Sequence, residues 1–493
     1  MTDKATIKRL KTGIPGLNEI LGGGLPEFSF NIIAGPPGSG KTTLAHQMMF
    51  SLASADRPAI FFTVLGEPPL KMLRYQQQFD FFDERAIGRS IHFISLSEDM
   101  QSGDLRRVLA RIVAAVETHQ PAFVFVDSFR SVVIATRTSD QVSMGLQQFV
   151  QELGMLMTSW QATTFLIGEY FSENDPNPVF TVSDGLIWLR QSLDRNSIVR
   201  KMEIIKMRGQ ASLPGQHTFR ISSAGMQVFP PAQVAAMGVE DPFPAPTGPP
   251  LSMGVAGLDD MMGGGLPRGY SLLVAGPSGS GKSILAAQFV AEGARCGEKS
   301  VIASFEQSPK LSRGPLISSL ISRGDVGLIR AQQSDLSVDE VTTLLLTEIR
   351  RLKATRVVLD SLSGFELMLA PTFSDNYRQS LCRMVSAVVS TGVSLLLTSE
   401  LEDRYTDLRF SPYGAAFLTD AIIVQRYVEV ESRLLRVIAV VKVRATAHSN
   451  ELRQFEIDDD GIKIGQMMPR YRGLLGGRPE RNDGYDTGDE RRD

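Results

Sequence analysis

The chain has 493 residues, enough for two or more domains that each bury a core. With 43% hydrophobic and 21% charged residues it has an ordinary globular composition, and a net charge near −3 offers no global basic field for nucleic acid or anionic membranes. The two cysteines, Cys296 and Cys382, argue against a disulfide framework, and neither they nor the five histidines stand at metal-ligand spacing. The first residues lack a signal-peptide core and no apolar run reaches membrane-spanning length, so a cytoplasmic location is expected.

Phe30–Ala34 reads as a buried strand and is followed by Gly35, Pro36, Pro37, Gly38, Ser39, Gly40, Lys41 and Thr42, then by Thr43 and an apolar helical run. The octet fits G-x-x-x-x-G-K-[ST]. Its glycines let backbone N–H groups turn onto a polyphosphate at a helix N-terminus, Lys41 reaches the β- and γ-phosphates, and the Thr42 hydroxyl ligates Mg²⁺. The strand Ala59–Val64 leads to Gly66 and Glu67, which places a carboxylate at the sheet edge where α/β ligands bind. A helix over Arg106–Val116 precedes Ala122–Ser128, a buried strand ending in Asp127. Many plain strands end in an acid, but downstream of a P-loop this is a Walker B pattern whose Asp orients Mg²⁺. A helix over Met144–Ser159 and runs at Thr163–Ile167 and Gly185–Leu189 complete the parallel set. Lys201–Gly209 reads as a strand ending in Lys206-Met207-Arg208; from spacing alone this is a solvated strand end.

Residues 230–250 hold seven prolines, which favour a semi-rigid extended linker. The first plan then repeats. Gly276, Pro277, Ser278, Gly279, Ser280, Gly281, Lys282 and Ser283, followed by Ile284, restate the octet at an offset of 276 − 35 = 241, and Gly22–Pro26 returns as Gly263–Pro267 at the same offset. Two motifs copied in register define a duplicated nucleotide-binding domain. Ser300–Phe305 leads to Glu306 and Gln307, Arg356–Ser361 carries the second Walker B acid, Asp360, and further strands fall at Ser394–Thr398, Ala421–Val424 and Val437–Arg444, which ends in Lys442-Val443-Arg444. The polar stretch beyond Gln466 reads as disordered. The expected class is α/β, with two tandem RecA-like P-loop domains, each a mostly parallel sheet flanked by helices. The expected boundaries are 1–229, a linker at 230–250, 251–466, and a tail at 467–493.

From about Lys11 to Gln466 these residues resemble the KaiC family of circadian-clock ATPases, double-domain members of the RecA-type P-loop class. The resemblance rests on Gly-Gly-Gly-Leu-Pro before each P-loop, Asp-Ser ending each Walker B strand, Lys-Met-Arg-Gly closing the first domain, and Thr419–Ile423 with Tyr427–Glu429 in the second. It implies a two-tiered homohexamer with ATP held between subunits. It also implies that Lys206, Arg208, Lys442 and Arg444 reach a neighbour's γ-phosphate, where a cation stabilises transferring charge. His448 matches a nucleotide-side histidine whose first-domain counterpart is Ser212. Partners of KaiB-like or signalling type are implied.

The chain departs from the family in two places. The family carries a Glu-Glu pair after the second core strand, the first usually activating water and, at Glu306, standing beside the metal; here the pairs read Gly66-Glu67 and Glu306-Gln307. The second domain keeps the base and the first has at best a displaced one. The family's adjacent Ser-Thr phosphorylation pair is replaced by Ala416 and Phe417, which carry no hydroxyl; Thr419 and Ser411 stand nearby. The reading is a slow ATP-dependent switch or timer with ATP and Mg²⁺ as cofactors. Its rivals are a Ser/Thr autokinase, a nucleotide-gated scaffold with little turnover, and a DNA motor. The last lacks basic clusters or stacking ladders over residues 130–148 and 362–379, so nucleic acid is not an expected partner.

Overall fold

The computed structural model describes residues 7–64, 69–101, 105–129, 142–171, 178–194, 197–232, 248–305, 314–330, 336–369, 377–401, 418–468, 471–472 and 480–481. Chain contacts divide it into two compact units, Met1–Pro231 and Ala232–Asp493. The proline-rich stretch 230–250, which spans their boundary, lies largely outside the described residues.

In the first unit Arg9–Leu10 (β1) pairs with Leu25–Pro26 (β2) across the glycine triplet. Gly24 has φ +129°, and a Cβ there would lie 2.3 Å from the Leu10 carbonyl oxygen; Gly265, at φ +117°, meets the Leu251 carbonyl at 2.4 Å. Only glycine fits both positions, so the Gly-Gly-Gly-Leu-Pro repeat is a backbone requirement. The main sheet contains Phe30–Gly35 (β3), Ala59–Thr63 (β4), Ile91–Ser95 (β5), Phe123–Asp127 (β6), Thr163–Glu169 (β7), Gly185–Asp194 (β8), Ser197–Met207 (β9), Gln216–Ser222 (β10) and Gly225–Phe229 (β11). Its order is β11-β10-β9-β8-β3-β7-β6-β4-β5. Strands β3 to β8 run parallel to their neighbours, and β9, β10 and β11 are added antiparallel.

The parallel strands are continuous apolar runs because helices cover both faces. Ile33, Phe61, Phe125 and Phe165 fill one face, and Ile32, Ile60, Val124 and Leu166 the other, with the two-residue alternation of the pleat. On the first face Phe61, Phe125 and Phe165 are register partners and stack at 6.0 and 4.8 Å. The helix Leu105–His119 buries Val108, Ile112, Ala115 and Val116, a stripe at helical spacing. It is longer at both ends than the apolar run that foretold it.

The second unit repeats the sheet with Ser271–Gly276 (β12), Ser300–Ser304 (β13), Val326–Arg330 (β14), Arg356–Asp360 (β15), Ser394–Glu400 (β16), Ala421–Val430 (β17), Arg433–Val443 (β18), Leu452–Asp458 (β19) and Gly461–Met467 (β20). The order is β14-β13-β15-β16-β12-β17-β18-β19-β20, so each first-sheet strand has its counterpart. Two tandem, mostly parallel sheets flanked by helices match the fold class read from the sequence. The last strand runs to Met467, and Tyr471–Arg472 (β21) pairs with Glu480–Arg481 (β22) inside the stretch expected to be disordered. No helix of the described residues is long and apolar enough to cross a membrane.

The second unit buries an arginine at the start of a core strand. Arg356, 1% exposed, donates from Nε to Glu298 (2.7 Å) and from Nη1 to the carbonyls of Ser252 (2.8 Å) and Phe289 (2.9 Å), and its guanidinium lies 4.5 Å from the Phe289 ring centroid. Burial pushes the Glu298 carboxyl up, but Arg356 and Arg268 outweigh it and hold the group below the usual range. Phe123 occupies the same sheet position in the first unit, where Arg57 packs on its ring and pairs with Glu27 at 2.7 Å. Arg356→Ala leaves a carboxylate and two carbonyls short of a partner, and it is expected to destabilise the second unit by about 3–5 kcal/mol. In calorimetry its transition moves down while that of the first unit stays in place.

Candidate functional site

Each P-loop leaves the carboxyl end of the central strand and enters a helix. After Gly35 the Ser39 amide donates to the Pro36 carbonyl (3.3 Å), and Gly40, at φ +99°, turns the chain into Lys41–Leu52. After Gly276 the Ser280 amide donates to Pro277 (3.2 Å), and Gly281, at φ +105°, opens Lys282–Arg295. Pro37, Gly38, Ser278 and Gly279 form the exposed crest of the two loops. A helix start with its N–H groups free is an anion site, and the loop supplies more of them.

Lys41 is buried and donates from Nζ to the Pro36 carbonyl (2.8 Å). Burial pulls its ammonium below the ordinary value, against the opposing fields of Glu169 and Asp127. Lys282 donates to the carbonyls of Gly276 and Pro277, each at 2.8 Å. Both ammoniums therefore sit folded over their own loops. In the first unit a cavity of about 430 Å³ opens between Gly38, Lys41, Thr43, Asp127, Ser128 and Glu169.

Parallel strands end at one edge, so β6 brings Asp127 to the loop. Thr42 Oγ1 donates to Asp127 Oδ2 at 2.8 Å. A hydroxyl and a carboxylate are hard oxygen donors, and beside an open cavity they suit Mg²⁺, which keeps waters and takes few protein ligands. In the second unit Asp360 is buried at the end of β15 and accepts from the Thr398 hydroxyl rather than from Ser283. Ser283 and Ile284 open the helix as Thr42 and Thr43 do, and Ile284 is exposed.

The four candidate cations stand at the opposite edge. Lys206 faces Leu186, which faces Ile32 near the start of β3. Its Nζ donates to the carbonyls of Phe180, Thr181 and Ser183, and Arg208 pairs with Asp184 at 3.3 Å. Lys442 donates to the Thr419 carbonyl (2.6 Å) and Arg444 pairs with Asp420 at 3.1 Å. Burial lowers both ammoniums, helped by Arg208 or Arg444 and opposed by Asp184 or Asp420. Phe30 and Gly35 are separated by five strand steps, roughly 17 Å, so these cations and the P-loop of the same unit are not brought together. His448 lies just past β18, at the same edge as Arg444, its Nδ1 3.1 Å from the Ser449 carbonyl. Glu67, Glu306, Ser411, Ala416 and Phe417 lie outside the described residues. Thr419 is fully buried.

Two pairs of residues and one single residue at the loop edge or beside it escaped the sequence reading. Glu169 and Glu400 close β7 and β16, opposite Gly35 and Gly276. The expected strands stopped two residues short of them, and their recurrence at equivalent strand ends was the available signal. Thr398 is the second case. Arg200 and Arg436 lie opposite Gln191 and Tyr427, the residues beside Gly38 and Gly279, and each keeps a buried Nε without a hydrogen-bond partner. Their offset, 436 − 200 = 236, equals that of Lys206 and Lys442 and was visible in the sequence.

A P-loop leaving the central strand of a mostly parallel sheet, with an acid on a nearby strand end, defines a RecA-like P-loop nucleotide-binding domain, here present twice. The family model described as "ATPase: KaiC" matches residues 10–233 and again 251–468. The chain belongs to the KaiC ATPase family. It is 27% identical over 490 residues to the circadian clock oscillator protein KaiC of Rippkaea orientalis, covering 96% of this chain and 92% of that one. It is also 27% identical to the KaiC proteins of Prochlorococcus marinus, over 96% of both chains, and Thermosynechococcus vestitus, over 97% of this chain and 93% of that one.

A methyl group at Gly40 would meet Ile221 Cδ1 at 2.7 Å, and one at Gly281 would meet Ile457 Cδ1 at the same distance, both on left-handed backbone. Gly40→Ala and Gly281→Ala are each expected to cost about 1–2 kcal/mol of stability and to weaken nucleotide binding in the altered unit alone. Thermal melting and titration with a fluorescent ATP analogue read both effects.

Proposed function

We propose that the chain is an ATP hydrolase that assembles into a two-tiered homohexamer and works as a slow nucleotide-dependent switch or timer, reporting to protein partners of KaiB-like or signalling type. The observation that carries this reading is the placement of Lys206, Arg208, Lys442 and Arg444 a sheet's height from their own P-loops. Cations there stand too far from their own P-loop to serve it, and we assign them to a nucleotide of the next subunit. The relatives' printed description as clock oscillators supports the timer role. The proposed domain limits remain 1–229 and 251–466, joined by the linker 230–250 and followed by the tail 467–493.

In each half the loop amides and Lys41 or Lys282 receive the phosphates. Thr42 with Asp127, and Ser283 with Asp360 and Glu306, hold Mg²⁺, which when bound offsets phosphate charge. Glu306 takes the proton of the attacking water in the second half, while Gly66 replaces the base in the first and leaves Glu67 displaced. The neighbour's lysine and arginine stabilise the charge on the transferred phosphoryl group, and His448 contributes from the nucleotide side. Ala416 and Phe417 offer no hydroxyl, which disfavours the autokinase reading.

Two measurements test this. ATP with Mg²⁺ is expected to convert the chain to a hexamer in native mass spectrometry, since a ligand bound only by the assembled state stabilises it. Lys206→Ala and Lys442→Ala weaken that conversion, and a monomer under both conditions contradicts the ring. Glu306→Gln is expected to lower phosphate release by about 10²–10⁴-fold while sparing assembly, and Glu67→Gln to change release little. The opposite ranking exchanges the roles of the two halves.

A further inference from the structure

The two halves orient their Walker B acids through different hydroxyls. Ile33 and Val274 are the same position of the repeat, 274 − 33 = 241, the offset of the P-loops. The residue paired with Ile33 across the sheet is Ile167, and the residue paired with Val274 is Thr398. At one sheet position, therefore, the first half has a side chain that cannot donate and the second has a hydroxyl.

That hydroxyl is used. Thr398 Oγ1 donates to Asp360 Oδ1, and both residues are buried, Thr398 completely and Asp360 to 3% exposure. In the first half Thr42, from the P-loop itself, donates to the acid at 2.8 Å. The geometry points to Thr398 as a positioning residue for metal binding in the second half. Its bond to Oδ1 fixes the plane of the Asp360 carboxylate and leaves Oδ2 for the water shell of a magnesium nucleotide. It also spares the Ser283 hydroxyl, which then ligates the metal without first having to hold the acid. Partners one bond behind a metal site commonly set its affinity through such orientation. The first half orients its acid with the ligating hydroxyl, so a donor at Ile167 is dispensable there. This inference rests on the reading of the site as one for ATP and Mg²⁺.

Thr398→Val keeps the side chain's shape and removes the donor; Thr398→Ser restores it. The test uses the full chain carrying Lys41→Ala, so that a non-hydrolysable ATP analogue occupies the second half. Mn²⁺ binding is followed by electron paramagnetic resonance, and melting confirms folding. Thr398→Val is expected to raise the half-saturating Mn²⁺ concentration by about 10–100-fold, Thr398→Ser to return it near the parent value, and metal-free analogue binding to stay unchanged. An unchanged midpoint in folded Thr398→Val overturns the role, and so does a tighter one, which would make Thr398 a competitor for the acid. Failure of the parent to bind the analogue at all contradicts the ATP reading itself.

Discussion

Strand direction is the constraint on which the rest of this structure depends. Six parallel strands in each sheet finish at one edge, and that common finish delivers the P-loop, the Walker B acid and Glu169 or Glu400 to a single place. The antiparallel return of β9 and β18 delivers Lys206, Arg208, Lys442 and Arg444 to the other edge. One chain direction thus separates the phosphate loops from the four candidate cations by the height of the sheet, which is the separation that the proposed ring would bridge with a second subunit.

The repeat preserves this frame while its interior differs. The stacked row of Phe61, Phe125 and Phe165 belongs to the first unit, and the second buries Arg356 at the strand position where the first has Phe123. A buried guanidinium holding a carboxylate and two carbonyls is a specific device, costly to disrupt and of little net benefit to stability over an apolar side chain. The site diverges likewise: one half aims its acid with Thr42, the other with Thr398.

What could be read from sequence follows from how narrowly chemistry restricts each position. The P-loops were legible because backbone at φ near +100° beside a bulky side chain admits only glycine, as at Gly40 and Gly281. The buried strands were legible from their unbroken apolar runs. Lys206 and Arg208 read as a solvated strand end, because the carbonyls of residues 180–183 and the carboxylate of Asp184 that hold them arrive from a different segment. Arg356 opens a strand and gave no sign of burial, since its partners lie 58, 67 and 104 residues away. Thr398 looked like an ordinary β-branched strand residue, and nothing local shows that its hydroxyl meets Asp360.

Asp184 does more than pair with Arg208. Its second oxygen accepts from the amide of Phe30, the first residue of the strand that ends in the P-loop, and Asp420 holds Ser271 in the same way. The cation at one edge and the phosphate loop at the other are therefore the two ends of one stiff strut. In the proposed ring, a phosphate that draws on Arg208 pulls on the strand that carries this subunit's own nucleotide. In that proposed ring a single carboxylate and a six-residue strand would join the cation facing one nucleotide to the loop holding the next.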